Sequence, residues 1–177
     1  GAGAMQGHES VGDHVVHRYN PPLDLTAAAS PSSFFLSTPG SGAIRPTAVH
    51  RKTKVNGTPN VWPEPPFTVE HTLFLTLPTK LKEGAKYTLR IAAATGSDKE
   101  TSEFVFDSAK SVSEALHVNL VGYYPNAPKT ADLYMWLGDG GARDYTSFIG
   151  RKVQLVDVKT GKRHDAGQVA FWKKAAA

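Results

Sequence analysis

The sequence predicts an all-β chain built as two consecutive sandwich modules. Three observations carry that expectation. Apolar residues recur with period two almost everywhere, the pattern of a half-buried strand and not of a helix. The short runs are punctuated by 16 glycines and 12 prolines, enough for many turns but without any collagen-like period. No long apolar helical face occurs, which argues against α/β layers.

The strands follow in order. Residues 71–77 (HTLFLTL) form a β-branched and aromatic run that ends at Pro78. A turn at Lys82-Glu83-Gly84 leads into residues 87–91 (YTLRI), and residues 104–106 (FVF) alternate up to Asp107. Later candidates are residues 117–121, 131–137 (ADLYMWL) and 153–158 (VQLVDV), the last closed by the turn Lys159-Thr160-Gly161-Lys162. Residues 169–172 are a final strand candidate. Ala27–Ala29 is short and meets Ser30-Pro31 at once, so it reads as a strand end.

Four segments follow from this pass. Residues 1–9 read as a flexible tag remnant, Gly1–Met5 having the look of a cloning scar. Residues 10–107 form the first module, the polar stretch 108–114 a linker with at most one helical turn, and residues 115–177 the second module. The passage from Leu81 through Gly84 to Tyr87 and Leu89 resembles the corner before the last strands of bacterial immunoglobulin-like and fibronectin-III-like modules. Both modules are therefore expected to be immunoglobulin-like sandwiches.

Composition narrows the chemistry. Charged residues make up 20% of the chain, below the roughly 25% of an average globular protein. The net charge is +4, but the basic residues are dispersed; the densest groups, Arg51-Lys52-Lys54 and Lys159-Lys162-Arg163, read as solvated hairpin ends. Without a basic stripe and interleaved aromatics, no nucleic-acid partner is expected. The absence of cysteine excludes disulfides, thiol catalysis and cysteine-held metals. No apolar run reaches the roughly 18–20 residues of a membrane-spanning helix, and no membrane partner is expected.

The most informative stretch is Val118-Asn119-Leu120-Val121-Gly122-Tyr123-Tyr124-Pro125-Asn126-Ala127-Pro128-Lys129. Val118 and Leu120 would alternate on one face of an opening strand, and Gly122 permits a bend. Tyr123 can cover a core edge. Pro125 and Pro128 block further ladder pairing, and Lys129 starts the next strand. This stretch resembles the opening of the N-terminal immunoglobulin-like domain of family 9 glycoside hydrolases, the cellulases. The later residues 131–137, 156–161 (VDVKTG) and Gly167 match that family's following strands, so the resemblance covers about residues 115–174. Leu120 stands where the family usually has Gln.

The resemblance implies a non-catalytic accessory module of a secreted or periplasmic bacterial hydrolase. Its motif residues Val118, Asn119, Gly122, Tyr123, Pro125, Pro128 and Lys129 would be structural, and no catalytic residue is inherited. It also implies a second sandwich that is incomplete over these residues, so that a downstream catalytic domain or another chain covers its open edge. The polysaccharide-degrading activity would then belong to a domain outside these residues, and the chain is expected not to be an enzyme on its own. The alternative is a module that itself binds polysaccharide through exposed aromatics such as Trp62, or a surface assembly module that uses open strand edges for strand addition.

Candidate sites are few. Glycoside hydrolysis needs two carboxylates across a cleft, whereas Glu83, Asp98, Asp107, Asp139 and Asp157 fall at turns and strand ends. His14 and His17 have a spacing known from metal sites, but on a strand they point to opposite faces; His117 reads as a strand-start residue. Asp139 and Asp144, at the two ends of a Gly-rich loop, are weak calcium candidates, although a plain hairpin loop is preferred. Trp62, in a Pro-rich stretch, is the candidate for stacking on a sugar, with a plug at the end of the first sandwich as the plainer reading. Tyr134 and Trp136 share one strand face and are expected in the core, with Trp172 packed beside them. No cofactor is expected, since no G-x-S-x-G, phosphate-cradling loop or H-E-x-x-H occurs.

Overall fold

The computed structural model describes residues 7–11, 14–18, 23–57 and 68–173. The chain is all-β, with the strands of the described residues in five small antiparallel sheets. It divides into two compact units, Gly1–Val112 with Leu137–Gly140, and Ser113–Trp136 with Gly141–Ala177.

In the first unit, β1 (Gly7–Val11) and β2 (His14–Arg18) form a hairpin whose register sets His8 opposite His17 and His14 opposite Val11. A short helix follows, α1 (Leu25–Ala29), where the sequence suggests a strand end. The reason is local. The Asp24 carboxylate accepts the Ala27 N–H at 2.8 Å, capping the first turn, and three alanines favour helix. Pro31 then ends it, because the residue before a proline avoids helical backbone. Ser33 and Thr95 fasten the helix to its surroundings: Ser33 Oγ donates to the Ala27 carbonyl, and the Asp24 N–H donates to the Thr95 carbonyl.

The core sheet contains β3 (Phe34–Ser37), β6 (Lys86–Ile91) and β7 (Thr101–Val105) in that order. Between β3 and β6 in sequence lies the long hairpin of β4 (Ala48–Gly57) and β5 (Thr68–Thr76). Period-two alternation puts Phe34, Leu36, Tyr87 and Leu89 on one face of the core sheet, with Phe34 paired to Ile91 and Leu36 to Leu89. Phe34, Leu36 and Tyr87 are buried. The Tyr87 ring stacks on Phe104 at 5.6 Å, and its hydroxyl accepts the Lys82 N–H at 2.9 Å, tying the corner back to the strand. Pro46, Leu75 and Leu77 oppose this face and enclose with it a small apolar pocket. The outer face is polar: Lys86 pairs with Glu103 at 2.7 Å, and that ammonium holds the Glu103 carboxyl below its ordinary range.

The segment Leu137–Gly140 clusters with this unit along β4. Gly138 and Gly140 come so close that an added Cβ would meet the Arg51 carbonyl oxygen at 2.0 Å and the His50 ring at 2.5 Å. Only glycine fits there, and Gly138 also has a φ of 73°.

The second unit has β8 (Leu116–Val118) paired with β9 (Ala131–Leu133), and β10 (Lys152–Val156) paired with β11 (Arg163–Gln168). The turn at residues 157–162 forms as the sequence predicts. Asp157 accepts the Lys159 and Thr160 N–H groups at 2.9 and 2.8 Å, and Gly161 supplies a φ of 69°. Three expectations are corrected. The strand expected over residues 131–137 ends at Leu133. Residues 169–172 are not a strand; the partner of β10 is instead the polar run Arg163–Gln168, which the returning turn places in register. The opening strand stops at Val118, so Leu120 lies outside it and is 95% exposed.

Candidate functional site

The segment joining β8 to β9 is a self-bonded loop. The Asn119 side-chain oxygen accepts the Val121 N–H at 2.9 Å, and Gly122 turns the chain with a φ of 121°. The Tyr123 hydroxyl then closes the loop, accepting the Asn119 N–H at 3.1 Å and donating to the Thr130 carbonyl. Pro125 sits inside the turn from Tyr124 to Ala127, where the Ala127 N–H reaches the Tyr124 carbonyl at 3.1 Å.

Lys129 does not begin the next strand, which opens at Ala131. Its ammonium folds back over the turn and donates to the carbonyls of Tyr124, Pro125 and Ala127 at 3.2, 2.8 and 2.9 Å. The three donors of the ammonium thus each meet a carbonyl, which suits a compact point charge. The motif's polar groups are engaged in holding its own backbone. Prolines and glycine signal the turn in the sequence; the lysine cage has no such signal, because it depends on a long side chain reaching backward.

The other candidates are dispersed. The Asp139 carboxylate accepts the Arg51 N–H at 2.8 Å on the edge of β4 and lies 3.7 Å from His50 Nδ1. Asp144 instead accepts the Thr146 N–H and hydroxyl, which hold its carboxyl below the ordinary range. Among the described residues no cluster of three or more His, Cys, Asp or Glu side chains forms that could hold a metal ion. Glu83 accepts the Ser108 N–H, and Asp107 the Ala109 N–H, so these carboxylates serve as backbone caps. His117 stacks flat on Tyr134, with ring centres 3.8 Å apart. Trp62 lies outside the described residues, and so does the side-chain surrounding of His14 and His17.

The aromatic expectations need correction. Tyr134 and Trp136 are more than half exposed and Trp172 is 83% exposed, so none of the three is in a core. Tyr134 and Trp136 both lie past the end of β9 at Leu133, Trp136 in an isolated bridge to Ala142, so the strand alternation that would set them on one face does not reach them. Within the second unit Tyr145 and Phe148 meet edge to face at 5.4 Å, and the Tyr145 hydroxyl lies 3.8 Å from the Met135 sulfur. Burial there raises the Tyr145 hydroxyl above its ordinary pKa.

No helix among the described residues is long and apolar enough to cross a membrane. Comparison of the chain with protein-family models, with curated proteins and with solved structures finds no match.

Proposed function

We propose that the chain is a non-catalytic accessory of a secreted bacterial glycoside hydrolase resembling family 9. It would pair an immunoglobulin-like first module with a second module that needs further polypeptide to complete it. The observation that carries this reading is the state of the second unit. Its sheets are two-stranded, and Leu120, Val121, Val158 and Trp172 stand at the surface with exposures from 83% to 98%. Two-stranded sheets are marginal on their own. Soluble proteins seldom leave so much apolar side-chain surface without a covering partner.

Two further points support it. The Tyr87 hydroxyl bonded to the backbone five residues upstream has the geometry of the tyrosine corner of Greek-key sandwiches. The 118–129 loop, which carries the resemblance, uses its polar groups for its own architecture, as a supporting module would. The accessory's contribution is packing and orientation of a hydrolytic domain, not chemistry.

The gene from which this chain derives tests the reading. Its natural reading frame is expected to continue from the codon for Lys173 into further strands and then a domain with paired carboxylates. A natural product with no carbohydrate-active domain would contradict the accessory role.

A further inference from the structure

The β10–β11 hairpin differs from the rest of the molecule in charge. Between residues 150 and 173, Arg151, Lys152, Lys159, Lys162, Arg163 and Lys173 are offset only by Asp157 and Asp165. This surplus equals the +4 of the whole chain, so all other residues together are neutral. No ion pair among the described residues involves these six cations. Asp157 is turned onto its own turn backbone.

The hairpin is also two-faced. On one side Arg163 donates to Gln154 at 3.1 Å and Gln154 to Asp165 at 3.4 Å, with Val156 exposed beside them opposite Arg163. On the other, Leu155 lies opposite His164 and is 65% exposed. Among the described residues β10 is bonded only to β11, so its second edge has no strand beside it there, and Leu155 stands exposed next to that edge.

We infer that this edge of β10 takes up one more strand, supplied by polypeptide outside these 177 residues and alternating apolar with acidic side chains. The inference rests on the reading of the second unit as incomplete and names what completes it. A strand satisfies the edge's backbone groups, its apolar residues cover Leu155 and Val153, and its carboxylates meet Lys152 on the opposite face. A second copy of the chain is disfavoured as the occupant, because its hairpin brings the same surplus of positive charge. Cations at an edge deter neutral or basic strands and select an acidic one.

The test uses the full chain and three synthetic peptides of about six to nine residues, the length of an ordinary strand. One alternates Glu with Val, one has the same composition with the alternation broken, and one replaces Glu by Lys. The alternating acidic peptide is expected to bind about tenfold or more tightly than the others, to slow amide exchange across Lys152–Val156, and to weaken with added salt. Leu155→Ser and Lys152→Glu, both at exposed positions, should each reduce that binding while leaving the circular dichroism spectrum unchanged. Equal binding by the scrambled peptide, or stronger binding by heparin at the same amides, would overturn the inference in favour of a general anion surface. An apolar dye separates the two levels. Strong dye binding that the acidic peptide fails to displace sinks the strand inference alone, whereas absence of dye binding sinks the incomplete-module reading and the inference with it.

Discussion

Replacing Phe34 by alanine is expected to destabilise the first unit by about 3–5 kcal/mol, the usual cost of truncating a buried phenylalanine. The ring is 1% exposed, and among the described residues of this unit Leu36, Tyr87 and Ala28 are the other buried apolar side chains. So few residues cannot collapse to fill the cavity. Since small domains hold only about 5–15 kcal/mol in total, the variant should lose much of its cooperative unfolding transition. Urea denaturation followed by far-ultraviolet circular dichroism measures this. Phe34→Leu, which keeps most of the volume, should lie between the variant and the parent. A shift below about 1 kcal/mol for Phe34→Ala would mean that the core lies elsewhere.

Tyr87→Phe is the second large effect, and it isolates a single hydrogen bond. The substitution keeps the ring on Phe104 and deletes only the hydroxyl that accepts the Lys82 N–H. The donor is left in a part-buried place without its acceptor, which costs about 1–3 kcal/mol. The same urea titration should therefore move to a lower midpoint with an unchanged slope, and the Lys82 amide should exchange faster. Unaltered stability would show that the corner is held by packing alone, and would remove one support for the immunoglobulin-like reading of the first unit.

How much of this was legible in the sequence depends on what decides each element. The strands around residues 71–76, 87–91 and 153–156 show their period because one of their faces is apolar. β11 was not legible, since Arg163–Gln168 has no apolar alternation and becomes a strand only through the turn held by Asp157. α1 was missed because its signal is a cap at Asp24 rather than a periodic face. Tyr134 and Trp136 illustrate a different limit. Period two assigns a shared face only as far as the strand runs, and β9 ends at Leu133, so neither their shared face nor their burial followed. The site was legible in part: the turn-forming role of Gly122 and Pro125 could be read directly, whereas the reach of Lys129 and the contact between Asp139 and Arg51 depend on three-dimensional proximity. The surplus charge of residues 150–173 is visible in the sequence as a contiguous run; that it lies beside an open strand edge is seen only in the structure.

The central claim is that residues 116–168 form a β-module that is incomplete by itself, and amide hydrogen exchange of the free chain tests it most directly. Strands with few buried contacts open locally at little cost, whereas core strands exchange only when their domain unfolds. The expected result is slow exchange across Phe34–Ser37 and Lys86–Ile91, with fast exchange throughout Leu116–Val118, Ala131–Leu133, Lys152–Val156 and Arg163–Gln168. Exchange in those four strands as slow as that of Lys86–Ile91 would contradict the claim, because a self-sufficient unit has no missing strand to recruit.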